Sequence, residues 1–366
     1  MNSTATLPLG VRVNSDAEPD GYRQNRLKTA AAHGLELLLG TSPLLPHVRR
    51  RYGGRGVALM FHEICDDPRD GLGAVSTTAQ LERVVRHLRE TGRDIVALDE
   101  AVRRLSLPSS PPFAVLTFDD GFRDTLTRVL PLLERFSAPF AVYVPSGMIR
   151  RDIFAWWLGL RQLLLMPTRL EFPPLDCSFD LETEQQKRAA LTKISEWIGQ
   201  DFRRAELLRP LFQRHHISLN DIVDDVALNA DELRQLSKHP LVTVGAHTVS
   251  HSALATLPAE AARAELVDNR ADLQELTQQP VNSLAYPYGS RPACGPREFQ
   301  LAEQAGFTVA MTTRRGALFP QHLDTPCAWP REDVSQPELS EAAIAAHIAG
   351  VGRAVQSRWG NPVATV

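Results

Sequence analysis

Short, almost continuously apolar runs recur along the chain and predict β-strands. They occupy residues 57–61, 114–118, 140–144, 242–246, 283–286 and 307–311. Each run contains few polar residues, which is typical of strands buried on both faces. A weaker run at 94–97 brings the predicted number of strands to about seven.

Helical periodicity lies between these runs, at residues 81–88, 126–133 and 261–276. In the second of them, Leu126, Val129, Leu130 and Leu133 share one stripe. An alternation of strands and helices predicts parallel strands in a barrel or a doubly wound sheet. With about seven strands, we expect an α/β fold with an incomplete (β/α) barrel.

Charged, helix-favouring sequence interrupts the alternation, and we interpret it as a helical insertion at about 150–240. The insertion separates the predicted strands 140–144 and 242–246. The remaining chain is predicted to form an N-terminal tail and helical segment at 1–55 and a main domain at 56–366.

The composition is that of a globular protein. Of 366 residues, 43% are hydrophobic and 23% are charged, which excludes disordered, collagenous and coiled-coil classes. Forty basic and 43 acidic residues give a formal charge of -3. Because no overall positive field attracts a polyanion, we expect no nucleic-acid partner.

The N-terminal sequence has no basic region followed by an apolar core, and no apolar run approaches the ~18 residues of a spanning helix. Four scattered cysteines favour a reducing compartment, so we expect a cytoplasmic protein. Residues 35–48, followed by Arg49, Arg50 and Arg51, are a candidate for peripheral contact with an anionic membrane. The interpretation that we favour is a helix packed on the main domain with a solvated basic end.

Two adjacent carboxylates, Asp119 and Asp120, follow the predicted strand 114–118. Active sites of α/β barrels lie at the carboxyl ends of the strands. Successive residues there point in different directions, so one carboxylate can bind a metal while the other faces a substrate. Asp-Asp-Gly is also a common turn and helix-cap sequence, so this pair alone leaves both interpretations open.

Two histidines, His247 and His251, follow the predicted strand 242–246 with the i, i+4 spacing that lets two imidazoles bind one metal. Two histidines and one aspartate form the open, three-ligand site of a catalytic divalent metal. The occurrence of both motifs after barrel-type strands favours this function over a structural role.

A third motif, AYPYG at 285–289, also follows a predicted strand. Its turn is expected to present a backbone amide to the metal, where the amide can stabilise an oxyanion. The same sequence is also compatible with a simple turn.

Together, TFDDG at 117–121, HTVSH at 247–251 and AYPYG at 285–289 resemble the motifs of the polysaccharide deacetylase family. These metal-dependent carbohydrate esterases contain the nodulation-type deacetylase domain, and the resemblance covers about 57–331 apart from the insertion. It implies a distorted barrel of about seven strands and a divalent metal ion, Zn²⁺ or a similar ion. It also implies hydrolysis of N-acetyl groups from N-acetylhexosamine residues of a glycan.

The resemblance assigns a role to each matching position. Asp119 is the base, and Asp120, His247 and His251 are the metal ligands. The backbone amide of Tyr288 joins the oxyanion site.

Two departures from the family pattern concern the base and the acid. Ala285 stands where the family has an arginine that orients the base, and no Leu-x-His motif that would supply the acid follows Met311. However, LMFHEI at 59–64 resembles the exopolysaccharide deacetylase branch, in which an N-terminal histidine is the acid. AYPYG belongs to that branch too.

His62 therefore becomes the acid candidate, with His322 as the fallback in what looks like an exposed loop. Arg331 is the candidate for the missing cation. The expected partner is a chitooligosaccharide-like glycan or an exopolysaccharide precursor. The alternatives are an O-acetyl or other amide or ester hydrolase, and a non-catalytic glycan-binding or assembly protein.

Overall fold

A computed structural model of the chain describes residues 11–12, 34, 38–66, 72–336 and 338–364. Much of the predicted N-terminal tail and helical segment, residues 1–10, 13–33 and 35–37, lies outside the described residues. The described chain divides into two compact units. One contains Gly34–Ile153 and Asp224–Val366, and the other contains Phe154–Val223 with the strand Val11–Arg12.

A curled sheet of eight parallel strands forms the centre of the larger unit. Its strands are β1 (Gly56–Phe61), β2 (Asp94–Ile95), β3 (Phe113–Phe118), β4 (Phe140–Val144), β5 (Val242–Ala246), β6 (Ser283–Ala285), β7 (Val309–Met311) and β8 (Glu332–Asp333). Seven of them follow the order β7-β6-β5-β4-β3-β1-β8, and β2 pairs beside β3. The predicted α/β fold, a distorted and incomplete (β/α) barrel with a helical insertion, is confirmed.

The segment that enters β8 contacts both edges of this sheet. Trp329 forms an isolated parallel bridge with Met311 of β7, and Glu332 pairs with Leu59 of β1. The sequence did not predict β8, because two acidic residues carry no apolar pattern. Its position matters because it places Arg331 inside the barrel, where the side chain is fully buried.

Burial on both faces explains why the strands are so uniformly apolar. Every residue of β1 and β3 is buried. Phe61 stacks on Phe118 with ring centroids 5.1 Å apart, and Phe118 meets Phe140 edge-on at 5.5 Å. These contacts fix the register of β1, β3 and β4 at their carboxyl ends. The residues that follow these three strands therefore lie at the same edge of the sheet.

Helices surround the sheet of the larger unit. They are Leu45–Tyr52, Thr78–Glu90, Leu98–Ser106, Leu130–Arg135, Ser146–Arg150, Ala230–Ser237, Ala259–Thr277, Pro296–Gln304, Glu341–Ala349 and Val351–Gln356. The predicted helix 126–133 is divided into a π-helical turn, Thr125–Val129, and the helix Leu130–Arg135. Thr77 accepts a hydrogen bond from the amide of Gln80 and thereby caps the helix Thr78–Glu90.

The predicted insertion contains the helices Trp156–Leu165, Glu184–Gln200, Arg209–Arg214 and Leu219–Val226. It also contains an antiparallel pair of strands, Arg169–Phe172 and Cys177–Asp180, which the sequence analysis did not predict. Leu170 and Phe172 are buried while their neighbours in the strand are exposed, so the pattern alternates over only four residues. The predicted domain boundaries stay a prediction. Among the described residues, no helix has the length and apolar character needed to cross a membrane.

Candidate functional site

The predicted site residues follow the carboxyl ends of four strands of the sheet. His62 follows β1, Asp119 and Asp120 follow β3, His247 follows β5, and Tyr288 follows β6. Parallel strands end on the same rim, so the motifs meet there although they lie far apart in sequence. The amide of Asp119 donates to the carbonyl of Phe61 at 3.0 Å, which joins the ends of β1 and β3.

Asp120, His247 and His251 form a compact, buried cluster. One oxygen of Asp120, Oδ1, lies 3.3 Å from Nε2 of His247 and 3.2 Å from Nε2 of His251. One ligand atom from each residue lies within 4.8 Å of the other two. These distances match the ligand spacing around a single divalent cation, whose bonds to nitrogen and oxygen are about 2.0–2.2 Å long.

The hydrogen bonding of His247 indicates that a cation belongs in this cluster. Nδ1 of His247 lies 2.7 Å from the carbonyl oxygen of Ala285 and must be the donor, because a carbonyl only accepts. In the tautomer that carries its proton on Nδ1, His247 directs the lone pair of Nε2 at Oδ1 of Asp120. That oxygen is buried and accepts no hydrogen bond from the described residues. Two acceptors that face each other across 3.3 Å fit a shared metal ion.

The electrostatics favour the ligand forms of these side chains. Burial acts to raise the pKa of Asp120, but the two neighbouring imidazoles, His251 first, outweigh it. The pKa of Asp120 lies well below its usual value, so the carboxylate is ionised. Burial lowers the pKa of His251, partly offset by Asp120, which favours the neutral imidazole that binds metals.

Several residues of the site adopt the left-handed backbone conformation that non-glycine residues avoid. The φ angles are 72° for Asp120, 64° for Thr248, 57° for His251 and 61° for Tyr288. Each such conformation costs about 1–3 kcal/mol and persists only where the surroundings impose it. The surrounding structure therefore holds the backbone of these four residues in an unfavourable conformation, and this conformation sets the orientation of their side chains in the site.

Two polar residues on the helix Ala259–Thr277 hold the histidine loop in this shape. Glu265 accepts from the amides of Val249 and Ser250 at 2.8 and 2.9 Å. Asn269 accepts from the amide of His247 at 2.8 Å and donates to the carbonyl of Val144 at 3.1 Å. The sequence analysis missed both residues. The available signal was an asparagine, Asn269, between Leu266 and Leu273 on the buried stripe of this helix.

Asp119 does not join the metal cluster and is paired with Arg331. Nη1 of Arg331 donates to Oδ1 of Asp119 at 2.7 Å, and Nη2 donates to Oδ2 at 2.8 Å. Arg331 also donates to Oγ1 of Thr117 and to the carbonyl of Thr312, both at 3.1 Å. The guanidinium lies over the ring of Tyr143, 5.9 Å from its centroid. Arg331 thus holds the carboxylate of Asp119 in one orientation.

This pairing sets the charge of Asp119. Burial alone would raise the pKa of Asp119, but Arg331, helped by His247, more than compensates. The net pKa of Asp119 therefore lies below its ordinary value, and the side chain is an ionised carboxylate beside the metal cluster. Such a group can accept a proton from a water molecule between it and the cluster.

His62 follows β1 at the same rim as the two aspartates, and its imidazole acts to lower the pKa of both Asp119 and Asp120. Its Nδ1 is 2.9 Å from Oγ of Ser335, and this hydroxyl donates to the carbonyl of Met60 at 3.3 Å. Because the hydroxyl proton is used in that bond, the hydroxyl accepts from Nδ1–H of His62. The sequence analysis did not identify Ser335.

Tyr288 is half-buried, and its ring lies 4.9 Å from that of His251. The hydroxyl of Thr313 donates to the carbonyl of Tyr288 at 2.6 Å. The next residue, Gly289, has φ 55°, and a Cβ there would lie 2.4 Å from the amide nitrogen of Thr313. The turn is thus fixed beside the metal cluster, whereas the oxyanion role of the Tyr288 amide stays a prediction.

His322, the fallback acid, is not in an exposed loop, so that expectation was wrong. It is buried, with 1% of its surface exposed. Nδ1 accepts from the amide of Phe319 at 3.0 Å, and Nε2 lies 3.1 Å from the carbonyl of Ala364. Both ring nitrogens are occupied by backbone groups, which is the pattern of a structural histidine.

Solved structures with a similar fold include the Streptococcus pyogenes deacetylase PplD in complex with acetate. Its TM-score is 0.53 and its identity 15%, and the match covers 80% of this chain and 97% of that chain. BC0361, a polysaccharide deacetylase from Bacillus cereus, has a TM-score of 0.51 and 15% identity, with 80% and 68% covered. At this identity the similarity concerns the fold.

A sequence relative is the poly-beta-1,6-N-acetyl-D-glucosamine N-deacetylase of Escherichia coli (strain K12). It is 30% identical over 125 residues, which cover 29% of this chain and 18% of that protein. This chain therefore spans about a fifth of the length of the curated relatives it matches. The family described as polysaccharide deacetylase matches residues 107–310, more than half of the chain. The chain thus belongs to the polysaccharide deacetylase family, as the three motifs predicted.

Proposed function

We propose that this chain is a metal-dependent hydrolase that removes N-acetyl groups from N-acetylhexosamine residues of an oligo- or polysaccharide and releases acetate. The observation that carries the proposal is the ionised Asp119, oriented by Arg331 beside the cluster of Asp120, His247 and His251. A carboxylate held next to a three-ligand site is the arrangement that hydrolysis of an amide by water requires.

The proposed metal ligands are Asp120, His247 and His251, and the proposed ion is Zn²⁺. Two imidazoles and one carboxylate form a donor set that zinc uses in catalytic sites, where a fourth position stays open. When bound, the ion polarises a substrate carbonyl and lowers the pKa of water.

Each remaining residue contributes a proton or a hydrogen bond. Asp119 accepts the proton of the water that attacks the acetamide carbonyl, and Arg331 keeps Asp119 ionised and oriented for this step. The amide of Tyr288 donates to the oxyanion of the tetrahedral intermediate. His62 delivers a proton to the departing sugar amine as the carbon–nitrogen bond breaks. The reaction consumes one water molecule, and its products are acetate and a free amino sugar.

The proposed substrate is a β-linked N-acetylglucosamine oligomer or an exopolysaccharide precursor. Similarity to the poly-beta-1,6-N-acetyl-D-glucosamine N-deacetylase supports this choice, and so does the histidine that follows β1. The cytoplasmic location stays a prediction, which fractionation of cells would test.

A paired assay tests the proposed function. The purified protein, loaded with zinc, is incubated with N-acetylglucosamine oligomers of β-1,4 and β-1,6 linkage and with an O-acetylated oligomer, and acetate and free amine are both measured. We expect acetate and amine in equal amounts from an N-acetylated substrate, and no release after chelation. Acetate without amine, from the O-acetylated substrate alone, would identify an esterase. A protein that binds oligomers without releasing acetate would be a glycan-binding protein.

A further inference from the structure

One surface of the larger unit is strongly basic, although the whole chain has a formal charge of -3. Residues 38–55 and 350–364 contain six arginines and no acidic residue. These arginines are Arg49, Arg50, Arg51, Arg55, Arg353 and Arg358. Among the described residues, none of the six pairs with a carboxylate, and those that form hydrogen bonds donate to backbone carbonyls. The two segments thus carry a positive charge that no carboxylate of the described residues neutralises.

These segments come together through one small apolar cluster. Leu39, Val48 and Tyr52 pack against buried residues of the helices Glu341–Ala349 and Val351–Gln356. The ring of Tyr52 meets that of Trp359 edge-on at 6.1 Å, and Arg51 donates to the carbonyl of Gly360 at 3.1 Å. The two ends of the larger unit therefore share one surface.

Large apolar side chains are exposed in the same two segments. Leu38 is 71% exposed, Leu44 57% and Trp359 47%, and only three other large apolar residues of the described chain are similarly exposed. Leu44 is the N-cap of the helix Leu45–Tyr52 and precedes Arg51 by seven residues, about two turns, so both lie on the same side of the helix. The basic patch, as we call it, consists of Leu38, Leu44, Arg50, Arg51, Arg358 and Trp359.

We propose that the basic patch is a docking surface for an anionic lipid bilayer. Unpaired arginines are attracted to anionic headgroups, while exposed leucine and tryptophan side chains insert at the level of the headgroups and upper acyl chains. A soluble polyanion would use the arginines of the patch and gain little from Leu38 and Leu44. The combination of both features in one place therefore favours a lipid surface over a nucleic acid or an acidic glycan.

The position of the patch is compatible with catalysis on a membrane. The contact of Tyr52 with Trp359 lies near the start of β1, because Tyr52 precedes Gly56 by only four residues. The rim that carries His62 lies at the other end of this six-residue strand, about 20 Å away. Contact of the Trp359 end with lipid leaves the rim accessible to a glycan that extends from, or is attached to, the same membrane.

Vesicle flotation with the purified full chain tests this proposal. Vesicles contain phosphatidylglycerol and phosphatidylcholine in a 3:7 ratio, or phosphatidylcholine alone, in 0.05 and 0.5 M NaCl. We expect binding to the anionic vesicles that weakens at high salt, and little binding to the neutral ones. Replacing the three exposed arginines in Arg50→Gln/Arg51→Gln/Arg358→Gln should weaken binding by on the order of 100-fold, since each contributes about fivefold.

Two further variants distinguish binding through the basic patch from a general effect of the net charge. Arg86→Gln/Arg188→Gln/Arg263→Gln makes the same change in charge on exposed residues elsewhere and should bind as the parent does. Leu38→Ser/Leu44→Ser keeps the charge and should weaken vesicle binding while leaving binding to heparin unchanged. Release of acetate from a soluble oligomer should stay at the parent level in every variant, which verifies folding.

Three outcomes would overturn the proposal. The first is a parent protein that does not float with anionic vesicles. The second is an equal loss of binding in the control triple variant, which would show that vesicle binding depends on net charge alone. The third is binding that the serine variant leaves unchanged, which would identify a general polyanion site.

Discussion

Arg331 and Asp119, which lie 212 residues apart in sequence, form a buried ion pair with two parallel hydrogen bonds of 2.7 and 2.8 Å. The arginine enters from the segment that leads into β8, and the aspartate follows β3, with β1 between them. A two-point contact fixes the plane of the carboxylate as well as its charge. This pairing supports the prediction that Arg331 replaces the arginine that the family has at position 285, where Ala285 provides the carbonyl that accepts from His247.

Removal of this arginine should change the pH dependence of the reaction. In Arg331→Met the burial of Asp119 remains and the compensating charge is lost, so the pKa of Asp119 rises. Since the base must be ionised, the acidic limb of the kcat/KM profile should move to higher pH, and kcat near neutral pH should fall by about 100-fold or more. Arg331→Lys, which keeps a charge without the two-point contact, should show a smaller shift. An acidic limb that stays in place in Arg331→Met would contradict the role of the pair.

Asp119→Asn should separate proton transfer from metal binding. The carboxamide cannot accept the proton of water, so kcat should fall by about 100-fold or more. The metal content should stay at the parent level, because Asp119 pairs with Arg331 and not with the histidines. Zinc analysis and acetate release on the same sample provide the measurement. If turnover is unchanged, Asp119 is not the base.

Ser335 should act as a positioning residue for His62, since its hydroxyl fixes the ring through Nδ1. Ser335→Ala should lower kcat by about tenfold with little change in KM or metal content, and Ser335→Thr should restore most of the loss. In a His62→Ala background, Ser335→Ala should have almost no additional effect, because residues that act as a unit are not additive. Independent effects of the two substitutions would show that the serine acts on something other than His62.

Glu332 provides a pH-dependent contribution to stability outside the reaction site. It is fully buried and accepts from Arg315 and His347, each at 3.1 Å. Burial acts to raise the pKa of Glu332, but these partners hold it below the ordinary value of 4.5. Its contribution is therefore present above about pH 4.5 and is lost as the pH falls through the lowered pKa. Glu332→Gln should cost about 1–3 kcal/mol at pH 7, and the difference from the parent should shrink below pH 4.

Urea unfolding at pH 7 and at pH 3.5 measures this difference directly. If the difference in free energy of unfolding between the parent and Glu332→Gln is the same at both pH values, the carboxylate of Glu332 is not stabilised by its partners. Glu341→Gln, at an exposed position on the helix Glu341–Ala349 that carries His347, is the matched control and should have little effect at either pH.

The sequence predicted the strands and the metal cluster because both have local signals. Short, almost continuously apolar runs marked the buried strands, and the i, i+4 histidines that follow β5 restricted two of the ligands to one turn. Asp119 and Asp120 could be placed for the same reason, since they directly follow a completely buried strand.

The missed features depend on contacts between distant segments. Ser335 and His62 are 273 residues apart, and nothing in the sequence around either residue indicates that they meet. The strand β8 has only two residues, both acidic, and pairs because Trp329 and Arg331 anchor its approach. His322 looked exposed because polar residues surround it, but backbone groups from two segments enclose its ring. Tertiary contacts decide each of these positions.

The most direct test of the account is the zinc content of the purified protein and of its ligand variants, measured by mass spectrometry after dialysis against trace zinc. The account predicts about one zinc per chain in the parent and in Asp119→Asn, and almost none in Asp120→Ala, His247→Ala and His251→Ala, because three ligands form a single site. Acetate release should vanish with the metal in those three variants. Full occupancy in His247→Ala would contradict the proposed site.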